Sequence, residues 1–218
     1  MISVLSVNLG KSKTILHQDR LIETGIYKSP AAGPVRVDQE GVIGDIQVDR
    51  KNHGGPDKAL YAYSWENYHY WAKARGENLY DPGHFGENLT ASNLADDAVH
   101  IGDVFSVGET LLQITQPRVP CFKLGLKFGD PGFVGEFLTS GRTGFYLRVL
   151  EEGEIRKGDS IKRRSQDKLA VTISDAMKAL IKGADQHLWI ERVLAVEALS
   201  SAWRDDLERR LHSRHQQV

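Results

Sequence analysis

Apolar and polar residues alternate over short stretches through the first 164 residues of the chain. Ile2, Val4 and Val7 indicate a strand at the N-terminus, and the stretch LIETGIYKSP predicts another that ends in a turn near residue 30. Alternation on both sides of residues 108–109 predicts two strands joined by a turn. Evenly spaced short strands with few long helices predict a mainly β barrel or sandwich up to about residue 164.

A helical period interrupts this pattern once and replaces it near the C-terminus. Trp65, Tyr68 and Ala72 fall on one face of a helix that Ser64 would cap and Gly76 would end. After the polar, basic linker IKRRSQDK, the spacing of apolar residues predicts three further helices. We therefore divide the chain into a β domain, residues 1–164, and a small C-terminal three-helix annex, residues 165–218.

The annex has two features that bear on its packing. Ser174 would cap its first helix, and apolar residues fall on one face of each of the other two: Trp189, Val193 and Val196, then Trp203, Leu207 and Leu211. The stretch WIERVLAVEALSSAW could pair two annexes in a homodimer. We favour the simpler interpretation that it packs within the annex or against the β domain.

The charge balance argues against a general nucleic-acid binder. Lys and Arg total 28 and Asp and Glu total 29, whereas nucleic-acid binders usually carry a marked basic excess. No stretch approaches the roughly 20 apolar residues that span a membrane, and the N-terminus lacks the basic region of a signal peptide. A single cysteine forms no internal disulfide, as is usual in a reducing cytosol. We predict a cytoplasmic protein with no nucleic-acid or membrane partner.

The only cysteine, Cys121, lies in the stretch PRVPCFKL. Pro117 and Pro120 stiffen the turn before it, and Arg118 and Lys123 would favour a thiolate. A thiolate can act as a nucleophile, a persulfide carrier or a soft metal ligand, and the local sequence does not separate these roles. The plain alternative is a small buried hydrophobic side chain, because cysteine is among the most buried residue types.

The stretch NHGGPDKALYAY, residues 52–63, is a second candidate for binding or catalysis. Gly54 and Gly55 would let backbone N–H groups approach an anion closely. His53 could donate a proton near neutral pH. The alternative is a tight turn in which His53 only bonds the backbone.

Further candidates are single polar side chains near strand ends. Lys28 and Ser29, in YKSP, could hold a phosphate, and Arg36 could assist them. Asn88, in FGENLT, could present its amide to a heterocycle, and Arg148 could point either way from its strand. For Lys28 the alternative is a solvated loop lysine, because lysine is mostly exposed.

In their order along the chain, these stretches resemble the MOSC domain, the type of domain found at the C-terminus of molybdenum-cofactor sulfurases. The resemblance covers residues 1–164 and rests on GIYKSPAAGPVRV, GVIGD, HGGPDKALYAY, FGENLT, IGDVFSVGE, LLQITQPRVPCFKL and GRTGFYLRVLEEGEIRKGD. The later segments LAVTISDAMKALI and ALSSAW resemble the annex of the bacterial YiiM-type branch. The resemblance implies a MOSC β-barrel with a few short helices, followed by the three-helix domain.

The resemblance also implies a bound molybdenum cofactor, a pterin dithiolene with a terminal phosphate. Cys121 matches the cysteine that ligates the metal in reductase-type members, and soft sulfur suits such a centre. Lys28 and Ser29 match a Lys-Ser element that holds the cofactor in related amidoxime-reducing proteins, and Asn88 matches an asparagine of the same site. Those relatives have an arginine where this chain has Gly86, so the phosphate would need another arginine: Arg36, Arg118 or Arg148.

For the YiiM-type branch, the resemblance implies reduction of N-hydroxylated compounds such as 6-hydroxylaminopurine to amines. Electrons would come from a separate flavoprotein or iron–sulfur reductase, because the chain has no motif for nicotinamide, flavin or a cluster. His53 is our hypothesis for the proton donor beside Cys121. Two alternatives stay open: a sulfur carrier with a persulfide on Cys121 that serves cofactor maturation, and a pterin-binding module with an unreactive cysteine.

Overall fold

The computed structural model of the chain describes residues 1–48, 54–181, 183 and 185–215. Strands take up 32% and helices 27%, so the predicted mainly β class is confirmed. The strands are β1 Ser3–Gly10, β2 Lys13–His17, β3 Arg20–Thr24, β4 Lys28–Pro30, β5 Val35–Asp38, β6 Gly41–Val42, β7 Leu60–Ser64, β8 Leu89–Ser92, β9 Val104–Val107, β10 Thr110–Pro117, β11 Phe145–Glu151, β12 Gly153–Ile155 and β13 Ile161–Ser165. The α-helices are α1 Trp65–Arg75, α2 Phe122–Phe128, α3 Phe133–Thr139, α4 Ile173–Met177, α5 Gln186–Leu194 and α6 Ser201–His215. None of the helices in these ranges is long and apolar enough to cross a membrane.

Eight strands form the main sheet, in the spatial order β13-β9-β10-β11-β7-β8-β1-β4. All neighbours in it are antiparallel except β7 and β8, which run parallel. Strands β12, β5 and β6 form a second sheet, and β2 and β3 form a separate hairpin. The predicted pair of strands around residues 108–109 is confirmed as β9 and β10.

The closed barrel implied by the resemblance is not confirmed. The outermost strands of the main sheet, β13 and β4, do not pair with each other within the described ranges. Instead, the start of β1 contacts the residues around the start of β13. Ser3 and Ser160 form a single bridge, and the Ile161 N–H donates to the Ile2 carbonyl at 2.9 Å. The sheet therefore approaches itself at this point without a continuous ladder.

One hydrophobic core runs from the main sheet into the annex. It includes Ile114 of β10 and Leu147 of β11 together with Met177, Val193 and Trp203 of the annex. The annex thus packs against the β domain, in agreement with the interpretation we favoured. The division of the chain at residue 164 and the homodimer both stay predictions.

A second core consists mainly of aromatic side chains beside α1, α2 and α3. Its buried members are Tyr61, Tyr63, Tyr68, Trp71, Phe85, Leu124, Phe133, Phe137 and Tyr146. Neighbouring rings contact one another directly, with 4.6 Å between the ring centroids of Tyr63 and Phe85 and 5.5 Å between those of Tyr61 and Tyr146. Such packing fixes the tyrosine side chains that reach the cleft described below.

The predicted helices are present, with two corrections to their caps. Ser64 is the N-cap residue of α1, but its side chain accepts no hydrogen bond from a helix N–H and its hydroxyl instead donates to Glu66. Helix α1 ends at Gly76, whose φ of 63° is left-handed, as predicted. In the annex, α4 is capped by Thr172 and not by Ser174, because the Thr172 hydroxyl accepts a hydrogen bond from the Asp175 N–H at 2.9 Å. The Ser174 hydroxyl instead donates to the Gly141 carbonyl at 3.0 Å.

The strand predicted over LIETGIYKSP is interrupted. Residues 25–27 separate β3 from β4, and the expected turn at Ser29-Pro30 belongs to β4. The break coincides with a close backbone approach, since a Cβ added to Gly25 would lie 2.1 Å from the Ile46 carbonyl oxygen. Only glycine fits at this point, and both Gly25 and Ile26 line a cleft.

We expect Gly25→Ala to lower the free energy of unfolding by about 2 kcal/mol or more, because the added methyl group would meet a backbone oxygen that has little room to move. Gly33→Ala is the matched control, since a Cβ at Gly33 meets nothing within 4 Å. Denaturant unfolding of both variants beside the wild type checks the prediction. Equal stability of the two variants would contradict it.

Candidate functional site

Cys121 lies in the wall of a cleft that encloses about 620 Å³ of empty space, including a part open to solvent. Most of the lining comes from residues within 24–28, 45–48 and 118–123. Tyr61, Gly86, Asn88 and Tyr146 complete it. The cleft is therefore built where the interrupted β3–β4 segment meets the segment that carries the cysteine.

Cys121 is held by its backbone between a strand and a helix. Strand β10 ends at Pro117, and Cys121 precedes α2 as its N-cap residue with φ −112° and ψ 169°. Its carbonyl accepts a hydrogen bond from the Leu124 N–H at 2.9 Å. The side chain is half-buried and forms no disulfide. The sulfur is therefore positioned by ordered backbone and can be reached from the cleft, unlike a cysteine sealed in a core.

Arg118 is buried beside it, with 6% of its surface exposed. Its guanidinium carbon lies 4.7 Å from the ring centroid of Tyr61 and 5.4 Å from that of Phe137. No carboxylate among the described residues forms an ion pair with this guanidinium, whose Nη1 donates to the Tyr61 hydroxyl at 3.4 Å. Burial by itself lowers the pKa of Arg118, but the ionisable groups of Tyr61, Tyr146 and Cys121 raise that pKa overall. Arg118 thus stays charged and interacts electrostatically with Cys121.

Lys28 lines the cleft as half of a buried ion pair. Its partner is Asp45, and the two side chains are 7% and 3% exposed. Asp45 also accepts hydrogen bonds from the Gly10 N–H at 2.7 Å and from Asn88 Nδ2 at 2.8 Å, while Asn88 Oδ1 accepts one from the Tyr61 N–H at 3.2 Å. Burial lowers the pKa of Lys28, and the Asp45 charge opposes this shift. Asp45 therefore positions both Lys28 and Asn88.

Two further charged side chains lie near Lys28 without lining the cleft. Lys127 Nζ donates to the carbonyls of Ile26 and Gly83 at 3.1 and 3.2 Å. Burial lowers the pKa of Lys127 to about 8 although nearby Glu87 opposes the shift. Glu87 is fully buried; its Oε1 accepts the Gly83 N–H at 2.8 Å, and its Oε2 has no hydrogen-bond partner among the described residues. The charge of Glu87 also acts on Lys28, so the charges behind the lining contribute to the electrostatics of the cleft.

The cleft carries an excess of positive charge. Among the described residues, Lys28, Arg118 and Lys123 line it, against one carboxylate, that of Asp45. Lys123 is tied to the hairpin, because its Nζ donates to the Glu23 carbonyl at 3.0 Å. A concave site with one sign of charge concentrates ligands of the other sign. The arrangement therefore suits an anionic ligand next to the thiol.

Arg36 and Arg148 are not in the lining of the cleft, and each is paired with a carboxylate elsewhere, so their suggested contact with a phosphate stays a prediction. Arg36 is exposed on β5, and its Nη2 lies 3.5 Å from Glu152. Arg148, on β11, pairs with Asp57 at 2.8 Å and donates to the Ala198 carbonyl at 2.9 Å. The Arg148 guanidinium thus links the 3₁₀ turn at residues 56–58 to the annex. Of the three arginines proposed for the phosphate, only Arg118 lies in the cleft.

The remaining predicted residues are placed as follows. Ser29 is exposed in the β1–β4 ladder, one residue after Lys28, and is not part of the lining. Gly54 and Gly55 are not in the lining either; Gly55 has a left-handed φ of 93° before the 3₁₀ turn Pro56–Lys58. His53 lies outside the described residues, so its suggested role as a proton donor stays a prediction.

Sequence reasoning missed Asp45, Tyr61, Tyr146 and Lys127. Tyr61 and Tyr146 stand in strands with apolar residues on both sides of them, which makes them indistinguishable from core residues in a single sequence. Asp45 follows a glycine in GVIGD, and an acidic residue at such a turn is one signal that could have drawn attention to it. Nothing in the local sequence marks Lys127 as buried.

The sequence of the chain matches a known domain over residues 49–162, and that domain is MOSC. The chain belongs to the MOSC family. Domains of this family are associated in general with binding of the molybdenum cofactor. The resemblance found in the sequence is thereby confirmed.

The relatives of this MOSC protein place it with the YiiM type. YiiM of Escherichia coli is 31% identical over 86% of this chain and 84% of its own length. The crystal structure of YiiM from Geobacillus stearothermophilus covers 97% of this chain and 100% of that chain, with 34% identity and a TM-score of 0.81. YflK of Bacillus subtilis is 43% identical over 93% of this chain and 91% of its own.

One relative is a longer protein with a functional name. A protein of Gibberella moniliformis called a reductase is 40% identical over 146 residues. The match covers 64% of the MOSC protein and 25% of the Gibberella protein. A domain of this family therefore occurs within a larger polypeptide that is named for a reductive activity.

The cleft residues of the MOSC protein fit the molybdenum cofactor. A cationic wall suits its phosphate and its anionic dithiolene, and a thiol suits a metal that already has sulfur ligands. No cluster of three or more His, Cys, Asp or Glu side chains within the described ranges could hold a metal by itself. Cys121 alone would supply one ligand, which matches a metal whose other ligands belong to a bound organic group.

We expect Asp45→Asn to lower the free energy of unfolding by about 3 kcal/mol, because it leaves the buried Lys28 ammonium without its counter-charge. The second change Lys28→Met should recover much of this loss. Asp175→Asn is the matched control, since its pair with Lys178 is largely exposed and should contribute less than about 1 kcal/mol. Denaturant unfolding gives the free energy of unfolding of the wild type, the two single variants and the double variant. No recovery in the double variant would contradict the ion-pair account.

We expect Arg118→Gln to slow alkylation of Cys121 by iodoacetamide up to about tenfold at pH 7 and to move the pH profile of the rate upward, because loss of a nearby positive charge disfavours the thiolate. The single cysteine makes the rate unambiguous. Arg36→Gln is the control, since Arg36 lies on β5 against Glu152. An unchanged pH profile in Arg118→Gln would show that the two groups are not coupled.

Proposed function

We propose that this MOSC protein is a molybdenum-cofactor-dependent reductase that converts N-hydroxylated compounds, 6-hydroxylaminopurine among them, to amines. The observation that carries the proposal is the half-buried Cys121 in the wall of a cationic cleft, next to an arginine that has no described carboxylate partner. The YiiM-type relatives and the relative named a reductase support a reductive role.

Six residues of the cleft have a role in this proposal. Cys121 ligates the metal as a thiolate, and Arg118 and Lys123 balance the anionic charge of the cofactor. Asn88 and Lys28, both held by Asp45, also line the cleft and would orient the organic part of the group. When bound, the cofactor supplies a metal centre that accepts and delivers electrons, a chemistry that no side chain of the described residues provides.

The proposed reaction balances as a two-electron reduction. An N-hydroxylamine takes up two electrons and two protons, its N–O bond breaks, and the amine and one water molecule leave. A separate flavoprotein or iron–sulfur reductase supplies the electrons. His53 is the proposed proton donor. We place the reaction in the cytoplasm, where a half-buried single thiol stays reduced.

We expect Cys121→Ser to lose most of its bound molybdenum and to reduce 6-hydroxylaminopurine at least about a hundredfold more slowly than the wild type, because a serine hydroxyl is a poor ligand for a soft metal. Both proteins are isolated from a host that makes the cofactor, analysed for molybdenum and assayed with reduced benzyl viologen. Val119→Ser, two residues away and 40% exposed, is the matched control and should retain both properties.

Two results would replace this proposal. Wild-type protein that carries a cyanide-labile sulfur on Cys121 but no molybdenum would favour the sulfur-carrier alternative. Bound cofactor without any turnover of N-hydroxylated compounds, in wild type and Cys121→Ser alike, would favour the pterin-binding module.

A further inference from the structure

Two tyrosines line the cleft together with Cys121, Tyr61 of β7 and Tyr146 of β11. They are direct partners in the pairing of these two strands, and their ring centroids are 5.5 Å apart. Their exposed fractions are only 4% and 8%. A buried tyrosine usually finds a hydrogen-bond partner for its hydroxyl. The bonds that each hydroxyl forms therefore indicate the role of each tyrosine.

The hydroxyl of Tyr61 is fully used within the protein. It donates its proton to the Thr143 carbonyl at 2.8 Å and accepts a hydrogen bond from Arg118 Nη1 at 3.4 Å. Tyr61 thereby connects the segment before β11 to the buried guanidinium. A ligand that used this hydroxyl as a donor would have to displace the Thr143 carbonyl. Tyr61 is thus a structural part of the cleft.

The hydroxyl of Tyr146 differs because its proton is not committed. No acceptor in the described part of the chain takes this proton, in contrast to that of Tyr61. Arg118 does interact with the phenol of Tyr146. A guanidinium can only donate hydrogen bonds, so this interaction leaves the Tyr146 proton free. The proton is therefore available to a ligand in the cleft.

The position of Tyr146 is rigid. Strand β11 lies between β10 and β7 inside the main sheet, and the Tyr146 carbonyl accepts a hydrogen bond from the Thr115 hydroxyl at 3.2 Å. Groups placed on the strands of a scaffold are held more precisely than groups on loops. Arg118 and Cys121 both act electrostatically on the Tyr146 phenol. The sheet thus holds a free phenolic proton in a fixed place near the thiol.

We propose that the Tyr146 hydroxyl binds the oxygen of the substrate's N–OH group and protonates this oxygen as the N–O bond breaks. This inference rests on the proposed reductase function. The electron pair of the N–O bond leaves with the oxygen, which takes the Tyr146 proton and departs as water. The nitrogen takes the two electrons that the cofactor supplies and a second proton, for which His53 stays the proposed donor. Tyr146 remains as a phenolate and regains its proton from water.

The surroundings of Tyr146 suit a proton donor. Burial raises the pKa of Tyr146, so the phenol keeps its proton at neutral pH. The positive charge of Arg118 opposes this shift, and the same charge stabilises the phenolate that is left after the transfer. Tyrosine is one of the side chains that act as general acids, and a well-placed general acid contributes roughly a hundredfold or more to a rate.

A pair of ligands that differ by one oxygen tests the contact without turnover. The cofactor-loaded protein, kept without a reductant, is equilibrated by dialysis with 6-hydroxylaminopurine or with adenine, which lacks the hydroxyl oxygen. Tyr146→Phe removes the phenolic hydroxyl and keeps the ring. We expect it to raise Kd for 6-hydroxylaminopurine about fivefold, which corresponds to the loss of one hydrogen bond. Kd for adenine should stay within about twofold of the wild type.

The same variant tests the proton transfer. With reduced benzyl viologen, Tyr146→Phe should lower kcat for 6-hydroxylaminopurine about a hundredfold and should keep its bound molybdenum. Tyr63→Phe is the matched control, because it also removes a buried tyrosine hydroxyl, which donates to the Arg142 carbonyl at 3.0 Å outside the lining of the cleft. The control should be less stable to denaturant than the wild type, with kcat and both Kd values within about twofold of it.

Three results would overturn the inference. An equal loss of affinity for both purines in Tyr146→Phe would show that the residue only shapes the cleft. Loss of molybdenum in this variant would assign Tyr146 to the cofactor. A wild-type kcat in Tyr146→Phe would exclude the proton transfer. Failure of the proposed function is distinct from these results, because it would appear as an absence of turnover in the wild type itself.

Discussion

The buried guanidinium of Arg118 determines the chemistry of the cleft. Burial of a charge is costly unless an opposite charge or a polarisable group compensates for it. The faces of Tyr61 and Phe137 supply part of this compensation, but no carboxylate of the described residues supplies the rest. The remaining positive field acts on the sulfur of Cys121 and on whatever enters the cleft. A neutral or cationic ligand would leave the guanidinium uncompensated, so the charge of the cleft favours an anion.

The cations of the cleft fall into two groups with different roles. Lys28 is already neutralised by Asp45, which also ties β1, through Gly10, to Asn88 ahead of β8. This neutral ion pair is part of the cleft wall and contributes little to the positive potential inside the cleft. Arg118 and Lys123 have no such counter-charge in the described part of the chain and carry the field that a ligand meets. Lysine therefore has two roles in the cleft. Lys28 stabilises the structure through its ion pair, whereas Lys123 keeps its charge available to a ligand.

Much of the architecture follows from local sequence, whereas much of the site does not. Period-two alternation located β1, β9 and β10, and helical spacing with a terminal glycine located α1. Cys121, Lys28, Asn88 and Arg118 were all predicted for the site and all line the cleft. Arg36 and Arg148 do not line the cleft, and a single sequence does not show which carboxylate a guanidinium meets across the fold: Glu152 lies 116 residues from Arg36. The role of Asp45 was also not predicted, because its partners come from three distant segments of the chain. The break at Gly25 likewise depends on the backbone of Ile46, 21 residues later.

The continuous core between the sheet and the annex limits how this chain can be divided. Val171, Met177, Val193 and Trp203 bury their side chains in the same cluster as residues of β10 and β11. Ending the polypeptide after β13 would strip that side of the sheet of its cover and leave a broad water-exposed hydrocarbon surface on the truncated fragment. Arg148 would also lose the Ala198 carbonyl. The family signature ends before the annex begins, yet the smallest unit of this protein that can be expected to stay in solution includes the C-terminal helices.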